Sequence, residues 1–108
     1  MLELRDTVQK MQSADYKERF IAEYQQTKIR YEKLKAFCNK IEAAQITIKS
    51  GAAEPLEMPK HDCPLALLRE QQKAMGMYLH ALEIRAVIEG VDLSHDTQGD
   101  TESEGDIA

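Results

Sequence analysis

Apolar residues return along this chain at alternating steps of three and four over two long stretches, and that rhythm predicts two long helices. In the first, Phe20, Tyr24, Thr27, Tyr31, Leu34, Cys38 and Ile41 form a heptad seam, widened by Phe37, Ala44 and Ile48. No Pro or Gly stands between Asp15 and Lys49, so this helix is expected over about residues 14–48. At 1.5 Å per residue that is roughly 50 Å. Asp15 followed by Glu18 three residues on predicts a capping-box start. In the second stretch, Leu65, Leu68, Gln72, Met75, Leu79, Leu82 and Ala86 repeat the step, with Gln72 as the polar member. Asp62 is the predicted N-cap. Pro64 falls in the first turn, where its missing N–H costs nothing, and Gly90 is a C-terminal stop, giving a helix over residues 64–89. Gly51, Pro55 and Pro59 break the pattern between them and leave a loop over residues 50–63, long for a helical hairpin. Ahead of both, Leu2, Leu4, Val8 and Met11 predict a short helix or arm over residues 1–13, on a spacing only partly helical.

The predicted fold class is therefore all-α: a long antiparallel helical hairpin over residues 14–90 with a short N-terminal helix. Two helices share one interface and enclose no core. Leu67, Ile84, Val87 and Ile88 lie off the second seam and need another surface to cover them. A scaffold this small rarely draws more than ~3 to 5 kcal/mol from its own core. A homo-oligomer is expected, with Tyr16, Phe20, Ile21, Val87 and Ile88 as the second surface.

Composition narrows this further. The 108 residues suit one domain, and five Gly and three Pro are too few for a sandwich or barrel with many tight turns. No apolar run reaches the ~18 to 20 residues of a membrane span. The start Met1-Leu-Glu-Leu-Arg-Asp lacks the apolar stretch of a signal peptide, so a soluble cytoplasmic protein is expected. The net charge is −5, and its acidity belongs to the tail. Asp92, Asp96, Asp100, Glu102, Glu104 and Asp106 stand there without Lys or Arg, and the segment over residues 91–108 is predicted to be disordered. It would act as a solubilising tail, or as a strip lying over the basic stretch of Lys28, Arg30, Lys33, Lys35 and Lys40.

Reaction chemistry finds little footing. Gly-x-Ser-x-Gly is absent, and Cys38 on the seam reads as a small hydrophobe. His61 and Cys63, with His80, His95 and Cys38, lack the paired spacings of a zinc site. Gly51 and Gly76 stand alone, so no phosphate-cradling loop is present. Glu18, Glu23, Glu32 and Glu70 read as helix-surface charges, such as Glu23 four residues from Arg19. No catalytic residue, metal or cofactor is predicted, and the chain is not expected to be an enzyme. Anion binding survives. Tyr24, Lys28, Arg30, Tyr31, Lys33 and Lys40 combine rings that can stack on bases with cations that can hold phosphates. The same residues also suit a plain seam with a solvated cationic face. Duplex DNA is a weaker partner, because the chain is acidic overall.

The two helices together carry a more specific pattern. The first reads Glu18-Arg-Phe-Ile-Ala-Glu-Tyr24, Lys28-Ile-Arg30 and Glu32-Lys-Leu-Lys-Ala-Phe37. The second reads Leu67-Leu-Arg-Glu-Gln-Gln72, then Met75, Tyr78, Leu82 and Arg85. This resembles the small phage helical-hairpin proteins that act as cyclic-nucleotide sponges against bacterial CBASS and Thoeris defence. The resemblance covers about residues 16–90 apart from the loop. It implies a homo-oligomer, hexameric in the well-known cases, in the cytoplasm of an infected bacterial host. Such proteins sequester cyclic di- or trinucleotide messengers intact, and Thoeris-directed relatives take cyclic ADP-ribose-type signals instead. By the same resemblance Tyr24 stacks on a base, Gln25 approaches the ligand and Lys40 contacts phosphate, while Lys28, one of the cations named above, is the further expected ligand residue. Arg85 matches an arginine serving a separate trinucleotide pocket in some relatives. The longer loop with His61-Asp-Cys63 and the acidic tail depart from the pattern. The alternative is a helical homo-oligomeric interaction module with no small ligand. A general nucleic-acid binder using Lys28 to Lys40 stands further back, and its affinity would fall steeply with salt.

Overall fold

Each long helix begins and ends where its backbone groups find partners. The structure, a computed structural model, describes residues 2–94. Its elements are a 3-10 turn Leu4–Thr7, then α1 (Val8–Met11), α2 (Tyr16–Lys49) and α3 (Leu65–Glu89). No strand occurs among the described residues, and the all-helical expectation holds. Of the tail expected to be disordered over residues 91–108, the part from residue 95 onward lies outside them, while over 91–94 Val91 is buried and Ser94 N–H bonds Asp92 Oδ1 at 3.1 Å.

At the start of α2, Asp15 Oδ1 accepts the Lys17 N–H at 3.0 Å, an N-cap bond to the second helical residue. The Ser13 hydroxyl accepts the Asp15 N–H at 3.0 Å. The reaching-back contact comes from Arg19, whose Nη1 donates to the Ser13 carbonyl at 2.9 Å, rather than from Glu18 as a capping box would have it. At its end, Gly51 takes φ 77°. Ala52 N–H then bonds the Thr47 carbonyl, and Gly51 N–H the Ile48 carbonyl, each at 3.2 Å. This is a Schellman cap, which only a residue free of a Cβ forms without strain. α3 closes the same way on Gly90, φ 73°, with Val91 N–H on the Ala86 carbonyl at 2.8 Å. Val91 is itself buried there. The start of α3 differs from expectation. The Pro64 carbonyl accepts from Leu67 and Leu68 at 3.1 and 3.2 Å, so Pro64 is the N-cap and Asp62 lies exposed upstream of it.

The described residues fall into two compact units, one of residues 2–29 with 78–94 and one of residues 30–77. In the first, α2 and α3 run antiparallel. Tyr16 hydroxyl donates to Glu89 Oε1 at 2.9 Å, and Tyr24 hydroxyl to Glu83 Oε2 at 2.8 Å. Phe20, Tyr24, Leu79, Leu82, Ala86 and Val91 are buried. The N-terminal arm docks on the opposite face of α2, where Gln26 Nε2 donates to Thr7 Oγ1 at 3.0 Å. Thr7 is fully buried and donates to the Leu4 carbonyl at 2.7 Å.

In the second unit the helices are again antiparallel. Arg69 binds Asn39 Oδ1 at 3.1 Å, Glu42 Oε1, and Gln72 Oε1 at 2.7 Å. Cys38, Ile41 and Ala44 are fully buried. Thr47 Oγ1 accepts the Leu56 N–H at 3.0 Å and ties the loop back to α2.

Two expectations need correction. Phe20, expected on the second surface, is 2% exposed, because Tyr16 packs edge-on to its ring and the Arg85 guanidinium covers it. Ile48, expected to widen the seam, is 51% exposed. The antiparallel register that sets Glu42 against Arg69 carries Ile48 past the first residue of α3. Of the other second-surface residues, Ile21 is half-buried, whereas Tyr16, Val87 and Ile88 are open. Val87 is 80% exposed and Ile88 77%, with Tyr16, Ile84 and Leu67 also exposed.

Candidate ligand-binding site

One turn of α2 gathers three of the expected ligand residues. Residues 24, 25 and 28 lie within four positions, and α2 holds them there without a break. Tyr24 belongs to the seam and is 7% exposed, with its hydroxyl held by Glu83. The Lys28 ammonium stands 5.9 Å from the Tyr24 ring centroid, within cation–π range, and the Lys28 side chain is otherwise exposed. Gln25 is 3% exposed, and its Nε2 has no hydrogen-bond partner among the described residues. A buried amide donor left unpaired costs about 1 to 3 kcal/mol. The turn thus offers a cation, an aromatic ring and an unspent N–H donor.

Arg85, in the same unit, is surrounded by groups that the sequence pattern did not single out. Its Nη2 donates to the Tyr16 hydroxyl at 2.6 Å, and its Nε to Glu89 Oε2 at 3.2 Å. Its guanidinium carbon lies 4.7 Å from the Phe20 ring centroid. Tyr16 completes the set by donating to the other oxygen of Glu89. That bond to Glu89 favours the neutral phenol and raises the Tyr16 pKa above its usual 10.0. The hydrogen bond to Glu89 likewise raises the Arg85 pKa. Lys40 lies exposed in the unit of residues 30–77.

Glu83, Tyr16 and Glu89 are the polar partners that sequence reasoning passed over. Setting the two seams antiparallel would have put Tyr24 opposite Glu83 and Tyr16 opposite Glu89. The signal existed but needed the register. Among the described residues no three His, Cys, Asp or Glu side chains come together as a metal site would require. His61 instead places Nδ1 2.8 Å from the Pro59 carbonyl oxygen and packs edge-on to Phe37. Cys63 is exposed and Cys38 buried, both as free thiols.

Two long glycine-capped helices and a short N-terminal arm define an all-helical protein among the described residues. The chain belongs to the Sequestin family, whose sequence model matches residues 14–88, more than half of its length. The family name fits a protein that sequesters a molecule, and the matched segment takes in nearly all of both long helices. No curated protein and no solved structure matches the chain.

Proposed function

We propose that this protein binds cyclic di- and trinucleotide second messengers and holds them intact as a homo-oligomer, six copies in the form the resemblance suggests. It does so in the cytoplasm of an infected bacterial cell, where lowering the free messenger silences anti-phage immune signalling. It performs no chemistry on the ligand. The family name supports sequestration, and the residue pattern of the two helices supports the ligand class.

The observation that carries the reading is the turn of Tyr24, Gln25 and Lys28. A nucleotide asks for a cation at its phosphate, a flat ring at its base and donors at its base edge. Here the Lys28 ammonium stands over the Tyr24 ring, and the next residue, Gln25, is buried with its Nε2 unpartnered among the described residues. A sponge works by mass action, and nanomolar binding requires about −12 kcal/mol. Two stacked bases supply about 2 to 6 kcal/mol. The rest must come from charge-assisted bonds in a pocket closed to water, which one helical turn cannot build. Pockets completed by neighbouring copies meet that need, and the open Ile84, Val87 and Ile88 give those copies an apolar surface to share.

The test is calorimetry of the intact protein with cyclic di- and trinucleotides and cyclic ADP-ribose isomers, followed by heat release and chromatography of whatever was bound. Tight binding with the ligand recovered unchanged is expected. An altered product overturns the sponge reading in favour of an enzyme. Silence across the panel overturns it in favour of an interaction module built on the same apolar surface.

A further inference from the structure

The face of α2 turned away from α3 is covered, and its cover is lightly fastened. Ala22, Gln25, Gln26 and Ile29 stand at i, i+3, i+4 and i+7, which is one face of a helix. Ala22 is fully buried and Gln25 is 3% exposed. α3 takes the seam side, where Tyr24 meets Glu83, so within this unit the N-terminal arm is what lies over the other face. Gln26 Nε2 ties it down through Thr7 Oγ1 at 3.0 Å and also touches Met11 Sδ. Thr7 is the one buried residue of the 3-10 turn and α1. Val8 and Met11, apolar residues of the same arm, are 45% and 44% exposed. An arm docked with its threonine inward and these two outward gains little from apolar burial. Its two helical pieces have four residues each, too few to hold a helix unaided. Behind it the chain is anchored: the Ser13 hydroxyl accepts the Asp15 N–H, and the Ser13 carbonyl accepts from Arg19 Nη1. That leaves Gln12, between α1 and the anchor, as the pivot.

Gln25 Nε2 has no partner while the arm is down. A buried donor left unpaired weakens the closed state, and an occupant with an acceptor oxygen relieves it. The arm also precedes residues 14–88, the segment that the family model matches, so the cover is not part of the matched pattern. We infer that the arm is a hinged cover: closed, it shields the Gln25 amide, and it swings off about Gln12 to admit an acceptor oxygen of the bound nucleotide. The inference rests on the cyclic-nucleotide reading for what enters, whereas the opening itself does not. Apparent affinity falls in proportion to the fraction of chains that are open. A single hydrogen bond changes such a fraction by about three- to tenfold.

The experiment follows hydrogen exchange of the Gln25 side-chain amide by NMR, in the full chain without ligand. Thr7→Val and Gln26→Ala break the tie from either side, and each is expected to speed that exchange about three- to tenfold. The backbone N–H groups of Tyr24 and Leu82, in the seam, are expected to keep their rates, because the opening is local. Unchanged Gln25 exchange in both variants overturns the cover. An equal rise at Tyr24 and Leu82 also overturns it, since the whole unit is then unfolding. Calorimetry of the same variants with cyclic diadenylate and cyclic triadenylate tests the gate. Binding about three- to tenfold tighter than wild type is expected. Faster exchange with unchanged affinity overturns the gate. Faster exchange with no binding in any chain, wild type included, removes the cyclic-nucleotide reading and leaves the cover standing.

Discussion

The Tyr31 ring lies against the backbone of Gly76, so that a Cβ built on Gly76 would stand 3.3 Å from Tyr31 Cε1. A glycine inside a helix forfeits about 1 kcal/mol relative to alanine. Here the missing side chain makes room for a ring of the opposite helix. Gly76→Ala is expected to be close to neutral in urea unfolding, because the helix gain is offset by a contact that the half-buried Tyr31 must relieve. Gly76→Leu has no such room and is expected to cost about 1 to 3 kcal/mol.

Tyr24 serves the seam with its ring and Glu83 with its hydroxyl, and two substitutions separate these roles. Tyr24→Phe removes one hydrogen bond and is expected to cost about 1 kcal/mol while keeping ligand affinity within about twofold. Tyr24→Ala removes a buried ring and is expected to cost about 3 kcal/mol or more and to abolish binding. Circular dichroism in urea reads the first quantity and calorimetry the second. Loss of affinity in Tyr24→Phe equal to that in Tyr24→Ala would shift the role from the ring to the hydroxyl.

Val87 and Ile88 bury almost nothing within their own chain. Replacing both by Lys is expected to leave helicity and intrachain packing intact and to dissociate the proposed homo-oligomer, read as a fall in sedimentation coefficient. An unchanged coefficient would place the copy-to-copy surface elsewhere.

Tyr16 donates its hydroxyl proton to Glu89, which holds its pKa above the usual 10.0. A raised folded-state pKa means that the folded chain binds this proton more tightly than the unfolded one. The contribution to stability is therefore fully present below pH 10 and is lost as pH rises through the raised value. The phenolate difference spectrum of wild type minus Tyr16→Phe is expected to show a midpoint above 10, and Glu89→Gln is expected to lower it.

The seam of α2 could be read from spacing alone. From Phe20 to Ile41 none of its members is exposed, because a period near 3.5 leaves only one stripe to bury. The glycine stops were equally legible, since Gly51 and Gly90 are the residues that adopt positive φ without strain. The cover on the far face of α2 was not. It is carried by Thr7 and Gln26, polar residues whose burial depends on finding each other across nineteen positions of chain. Gln25 illustrates the same limit. Off the seam, a glutamine reads as solvated, yet it is nearly inaccessible. Arg85 was singled out, but Tyr16 and Glu89 around it emerge only when α2 and α3 are set in register.

Cys38 and Cys63 differ in a way that matters at the bench. One thiol is sealed in the seam and the other lies open just before α3. A maleimide dye should therefore attach once per chain, without any engineered cysteine. Mixing donor- and acceptor-labelled chains would turn subunit exchange into a fluorescence signal, so that the protein can report on its own company while every other residue stays as it is.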